Sequence, residues 1–135
     1  MRRPVLLTYQ LVTGLSDTLT GTLLCAKPAF TLRIMGVRAP ADALPYVGYI
    51  GAFVLSVGLA CLYGARILRM AGATERIETV WLLTALSRAA VALYLLSEIS
   101  IGNFAHPWLS VVVFDGTCAL IQVIGLRRGW LRDAR

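Results

Sequence analysis

Four stretches of about 20 residues are almost wholly apolar and together take up most of the chain: Val5 to Ala26, Pro45 to Ala65, Thr79 to Ile99 and His106 to Leu126. A helix of that length just crosses a hydrocarbon core of about 30 Å. Transmembrane strands would need apolar and polar residues in alternation, and none of the four runs alternates. The expected fold is therefore all-α: one transmembrane domain over residues 1–135, with helices at about 5–26, 45–65, 79–99 and 106–126. Composition agrees, because only 15% of the residues are charged, against about 25% in an ordinary soluble domain. The basic start "MRRPVLLTYQ" is not read as a cleaved signal peptide. Its apolar stretch is too long, and only "CAKPAF" approaches a cleavage site.

The basic residues then orient the runs. Arg2, Arg3, Arg66, Arg69, Arg76, Arg127, Arg128, Arg132 and Arg135 all fall on one side of such a bundle, whereas Lys27, Arg33 and Arg38 share a single loop on the other. Retention of positive loops in the cytoplasm predicts both termini inside. The helices then form two antiparallel hairpins of a multi-pass bacterial inner-membrane protein. The net charge of +6 suits anionic headgroups of the lipid bilayer. Nucleic acid is excluded as a partner, because no aromatic residues are interleaved with a basic groove. Between the first two runs, "KPAFTLRIMGVRAPADALP" mixes Pro, apolar and basic residues, which predicts an interfacial segment at about 28–38. Trp81, Trp108 and Trp130 fall near run ends, where aromatic residues anchor helices at the interface.

Three charges interrupt the apolar runs far from their ends, whereas Glu98 lies at the outer end of the third. Asp17 lies twelve residues along the first run, about 18 Å at the helical rise. Arg88 lies nine residues along the third, about 14 Å, and Asp115 eleven residues from the inner end of the fourth, about 17 Å. All three reach a similar depth. A lone charge there costs about 2.5–3.5 kcal/mol on insertion scales. Arg88 is the one cation at that level, and its planar fork can bridge two carboxylates. The predicted cluster is Asp17–Arg88–Asp115, whose charges sum to −1. A polar seam is expected to continue toward the cytoplasmic side. Gln10 and Thr13 share the stripe of Asp17, Thr84 lies four residues from Arg88, and Gln122 shares the stripe of Asp115. In the second run Gly48, Ala52, Ser56, Ala60 and Gly64 recur every fourth residue. Such a ridge of small side chains allows close helix approach, within the chain or to a further subunit.

The first and third runs echo each other. "LVTGLSD" and "LLTALSR" place a charge, Asp17 or Arg88, directly after the same Leu-Ser pair, which suggests a duplicated hairpin. Cys25, Cys61 and Cys118 would lie at three different depths and are read as small packing residues rather than a disulfide or metal set. No nucleophile–base pair, phosphate loop or metal-ligand spacing occurs, so no catalytic residue, metal or cofactor is expected.

The stretch "SDTLTGTLLCAKPAFTLRIMGV", followed by three further spans, resembles small bacterial four-helix membrane proteins of a DoxX-like kind. The resemblance implies a four-helix membrane bundle and brings no single activity with it. Small multidrug transporters also have four helices and an acid in the first, but Arg88 and the long first outer loop depart from their pattern. The expected role is a non-enzymatic accessory or scaffold subunit that packs against a larger bacterial inner-membrane complex, with partner subunits or further copies as neighbours. The alternative is a small transporter or channel using the Asp/Arg/Asp site.

Overall fold

The computed structural model describes residues 3–70 and 74–132, and contains no strand among them. Five helices follow in order: α1 (Arg3–Ala26), α2 (Pro28–Ile34), α3 (Leu44–Ile67), α4 (Thr74–Ser100) and α5 (Leu109–Arg127). Short 3-10 turns, Ala41–Ala43 and His106–Trp108, lead into α3 and α5. Arg2 and Arg135, counted in the charge asymmetry, and residues 71–73 of the α3–α4 link lie outside the described residues.

The helices occupy the expected runs, with shifted ends. α4 starts five residues before the expected position 79, because Glu75 in its first turn suits the positive end of the helix dipole. α5 starts three residues after 106, because Pro107 sits in the 3-10 turn that precedes it. The segment expected at the interface is a short helix with Pro28 at its start, where a missing N–H costs nothing.

Three helices stop in the same way. Gly36, Gly102 and Gly129 adopt φ of 73°, 83° and 65°, and they are the only residues with positive φ among those described. Each follows a helix end with the paired backbone bonds of a Schellman motif. After α2, the Val37 amide donates to Leu32 O at 2.9 Å and the Gly36 amide to Arg33 O at 3.1 Å. Leu32 and Val37 are buried in one apolar cluster, the hydrophobic contact that accompanies this cap. After α5, the Trp130 amide donates to Gly125 O at 3.0 Å, which folds Trp130 and Leu131 back under the bundle.

α1 and α3 are in near backbone contact. A Cβ on Gly21 would lie 2.3 Å from the Leu55 amide nitrogen, and one on Gly58 would lie 2.4 Å from that of Thr18. α5 pairs with α4, and α3 adjoins α4. By contrast, no Cα of α1 comes within 8 Å of one in α4 or α5, so long side chains bridge that gap. The interior is layered accordingly. Leu6, Ile67, Leu68, Ile77, Trp81 and Leu131 form an apolar layer at the end where α1 begins. Leu24, Leu32, Val37 and Val47 form another at the opposite end. Polar residues occupy the middle.

Among the described residues three segments are long and apolar enough to cross a membrane: Ala41–Ile67, Thr74–Ser100 and His106–Arg127. α1 matches them in length but not in mean hydropathy, because it carries Gln10, Thr13 and Asp17. Those three are buried, whereas Val12, Leu15 and Leu19 point outward and are more than half exposed. α1 thus turns its most polar side chains inward, between Leu6 and Leu24 at the two ends of the buried face.

Trp81 corrects one expectation. It is fully buried rather than an interfacial anchor, and it packs against Tyr9 with ring centroids 5.5 Å apart. Gly125 makes the room, since a Cβ there would lie 2.5 Å from the Trp81 ring. Trp108 and Trp130 are half-buried.

Candidate functional site

The three buried charges meet. Arg88 extends from α4 into the gap between helices and is only 2% exposed. Its Nη1 donates to Asp115 Oδ1 on α5 at 2.6 Å, and its Nη2 donates to Asp17 Oδ2 on α1. One guanidinium therefore ties together three helices, of which α1 has no close backbone contact with the other two. Arginine suits this position because its fork offers separate N–H groups in fixed directions, which a lysine ammonium cannot do. The surroundings complete the arrangement. Cys61 Sγ on α3 lies 3.9 Å from Nη2. The Phe114 ring lies under the guanidinium, with its centroid 5.3 Å from Cζ, a cation–π distance. All four long helices thus contribute to the site.

The four seam residues are all buried. Gln122 Nε2 donates to Thr84 Oγ1 at 2.7 Å, which links α5 to α4 one turn from Arg88. The Thr13 and Thr84 hydroxyls each donate back along their own helix, to Tyr9 O at 2.9 Å and Val80 O at 2.7 Å. This local likeness matches the sequence echo between the two runs. Gln10 is fully buried, and neither end of its amide has a partner among the described residues. Gln122 Oε1, Trp81 Nε1, Thr18 Oγ1 and Arg88 Nε are likewise buried and unpartnered. Removing one hydrogen-bonded partner strands the other, so Gln122→Leu should cost about 1–3 kcal/mol in reversible detergent unfolding.

The proposed small-residue ridge is divided between two faces. Gly64 is buried against Gln10, whose Nε2 would lie 2.0 Å from a Cβ there, and Gly48 lies beside Leu24. Ala52 and Ser56 are exposed, and Ala60 is half-buried. The close contact with α1 runs instead through Gly51 and Gly58, one step round the helix. A strict four-residue repeat drifts across the face of a helix with 3.6 residues per turn, so its middle members leave the interface.

Sequence reasoning missed three contributors. The Tyr9 hydroxyl donates to Cys118 O at 3.2 Å, which bridges α1 and α5. Its position four residues before Thr13 was the available signal. Phe114 was marked only by its place beside Asp115, and Cys61 carried no signal beyond its apolar setting. Cys61 and Cys118 are buried as expected, whereas Cys25 is exposed. At the end where α1 begins, Arg3 Nε donates to Leu68 O at 2.8 Å and so satisfies a carbonyl just past the α3 terminus. Arg132 pairs with Glu78 at 2.7 Å. Glu98 accepts from Asn103 Nδ2 at 2.9 Å, within its own turn.

No protein-family model, curated protein or solved structure matches the chain. Among the described residues no group of three or more His, Cys, Asp and Glu could hold a metal ion. The site is an ion-pair network on three helices, with the Cys61 thiol of a fourth beside it. Its chemistry is charge compensation, with a polar seam on one side of it.

Proposed function

We propose that this chain is a four-span bacterial inner-membrane protein with both termini in the cytoplasm, serving as a small accessory or scaffold subunit of a larger membrane complex. The observation that carries this reading is the triad. Arg88 engages one carboxylate on α1 and another on α5, so three helices are fixed in one arrangement by side chains that satisfy each other. An ion pair of this kind specifies which helices meet. The fourth span is α1, whose Gln10, Thr13 and Asp17 are buried and whose outward Val12, Leu15 and Leu19 suit lipid. The DoxX-like resemblance implies the same number of spans.

A scaffold also needs a surface for its neighbour. The exposed part of the small-residue ridge, Ala52 and Ser56, leaves α3 open to close approach by a partner subunit or a further copy. Ser56→Leu should leave the fold of the single chain intact but weaken assembly, measured as loss of co-purifying chains or of the oligomer in mild detergent. Unchanged assembly would refute docking at this face. Topology has its own test. Cysteines placed after Met1 and after Arg135 should resist an impermeant thiol reagent applied outside intact cells. Labelling at either end would contradict the cytoplasmic placement.

A second reading, a small transporter or channel, draws on the buried polar atoms of Gln10 and Gln122 that lack partners beside the triad. Neutralising Asp17, Arg88 and Asp115 together separates the two roles. A scaffold keeps both its fold and its assembly, whereas a transporter keeps its fold and loses flux in vesicles.

A further inference from the structure

The charge balance of the triad leaves one negative charge over, and the geometry leaves a place for a proton. Arg88 engages only one oxygen of each acid, Oδ2 of Asp17 and Oδ1 of Asp115, through different amino groups. The second oxygen of each carboxyl is outside both ion pairs. The other titratable groups facing the site add no positive charge: Cys61 on α3, Cys118 on α5 and Tyr9 on α1. α4 supplies only Arg88. A site of net charge −1 in a low-dielectric interior is costly, and neutralising one carboxylate removes that cost while the remaining Asp–Arg pair stays intact. The proton is also chemically suited to the space. The two acid side chains retain slight exposure, 10% for Asp17 and 16% for Asp115, whereas Arg88 is sealed at 2%.

We propose that the triad is a proton-binding site: Asp17 and Asp115 share one bound proton at neutral pH, held as a neutral carboxyl beside the surviving Asp–Arg88 pair. Binding forms one carboxyl O–H bond and takes the proton from water, and release returns it there. No electron moves. Interacting acids of this kind titrate as a pair, so the proton belongs to both. The inference rests on the four-span reading, which places the site inside the membrane, and on neither of the two roles given to the chain.

Infrared spectroscopy of the purified protein in lipid nanodiscs tests it. Wild type at neutral pH should show the C=O stretch of a protonated carboxyl, distinct from carboxylate bands. The band should move when aspartate alone carries a ¹³C side-chain carboxyl, and should shift again in D2O. It should be lost in both Asp17→Asn and Asp115→Asn, because either change leaves a single carboxylate facing Arg88. It should persist in Asp42→Asn, an exposed residue far from the site. A wild-type spectrum without the band, or one whose band survives both site variants, overturns the proposal. Absence of the band from wild type overturns the proposal even if a variant fails to fold, and its loss in whichever site variant folds supports it. The thiol-labelling experiment fails separately, since it reads the span arrangement and not the protonation state.

Discussion

Arg88→Leu is expected to destabilise the folded protein by about 3–5 kcal/mol, the cost of leaving buried charge without its partner. The variant removes the counter-charge from both Asp17 and Asp115, so the buried site loses both contacts to Arg88 at once. Adding Asp17→Asn and Asp115→Asn to Arg88→Leu should recover most of that loss, because no buried charge then remains. Steric-trap unfolding of wild type, Arg88→Leu, the Asp17→Asn/Asp115→Asn pair and the triple variant in one lipid environment measures the effect. Additive behaviour would show that the side chains do not act as a unit. Arg88→Lys should fall between wild type and Arg88→Leu. The ammonium keeps the charge but cannot direct separate N–H groups at acids on two helices.

The second large effect belongs to the α1–α3 contact. Gly21→Ala should cost about 1–3 kcal/mol or more, because its new Cβ would meet the backbone of Leu55 at 2.3 Å and the carbonyl of Gly51 at 2.7 Å. Backbone cannot rotate away as a flexible side chain can, so the two helices must separate. Gly58→Ala meets the Thr18 backbone in the same way. Gly48→Ala is the matched control. Its nearest neighbour would be 3.8 Å away, so it should be neutral or gain up to about 1 kcal/mol from helix propensity. Equal effects at Gly21 and Gly48 would refute glycine-mediated contact.

The helical runs were legible because each is long and apolar, and the triad was legible because three charges in such runs can find partners only in each other. Depth counted along the chain was enough to match Asp17, Arg88 and Asp115, since the helical rise is nearly constant. Rotation about each helix axis was less legible. It decided that Gly51 and Gly58, rather than Ala52 and Ser56, face α1. It also decided that Trp81 turns inward onto Gly125 instead of outward to an interface. Such choices depend on which glycine faces which bulky residue across a contact, and no single run contains that information. The first run shows the converse case. Gln10, Thr13 and Asp17 lower its mean hydropathy, yet they lie on the inner face, so composition alone understates how well the helix suits a membrane.

Dipolar recoupling by solid-state NMR in bilayers reaches the triad most directly, between ¹⁵N-labelled arginine guanidinium and ¹³Cγ-labelled aspartate. Two aspartate signals should dephase at hydrogen-bonding distance. Asp17→Asn should remove one of them, Asp115→Asn the other, and Arg88→Leu both. Dephasing confined to one aspartate, or dephasing that persists without Arg88, would contradict an arginine shared between α1 and α5.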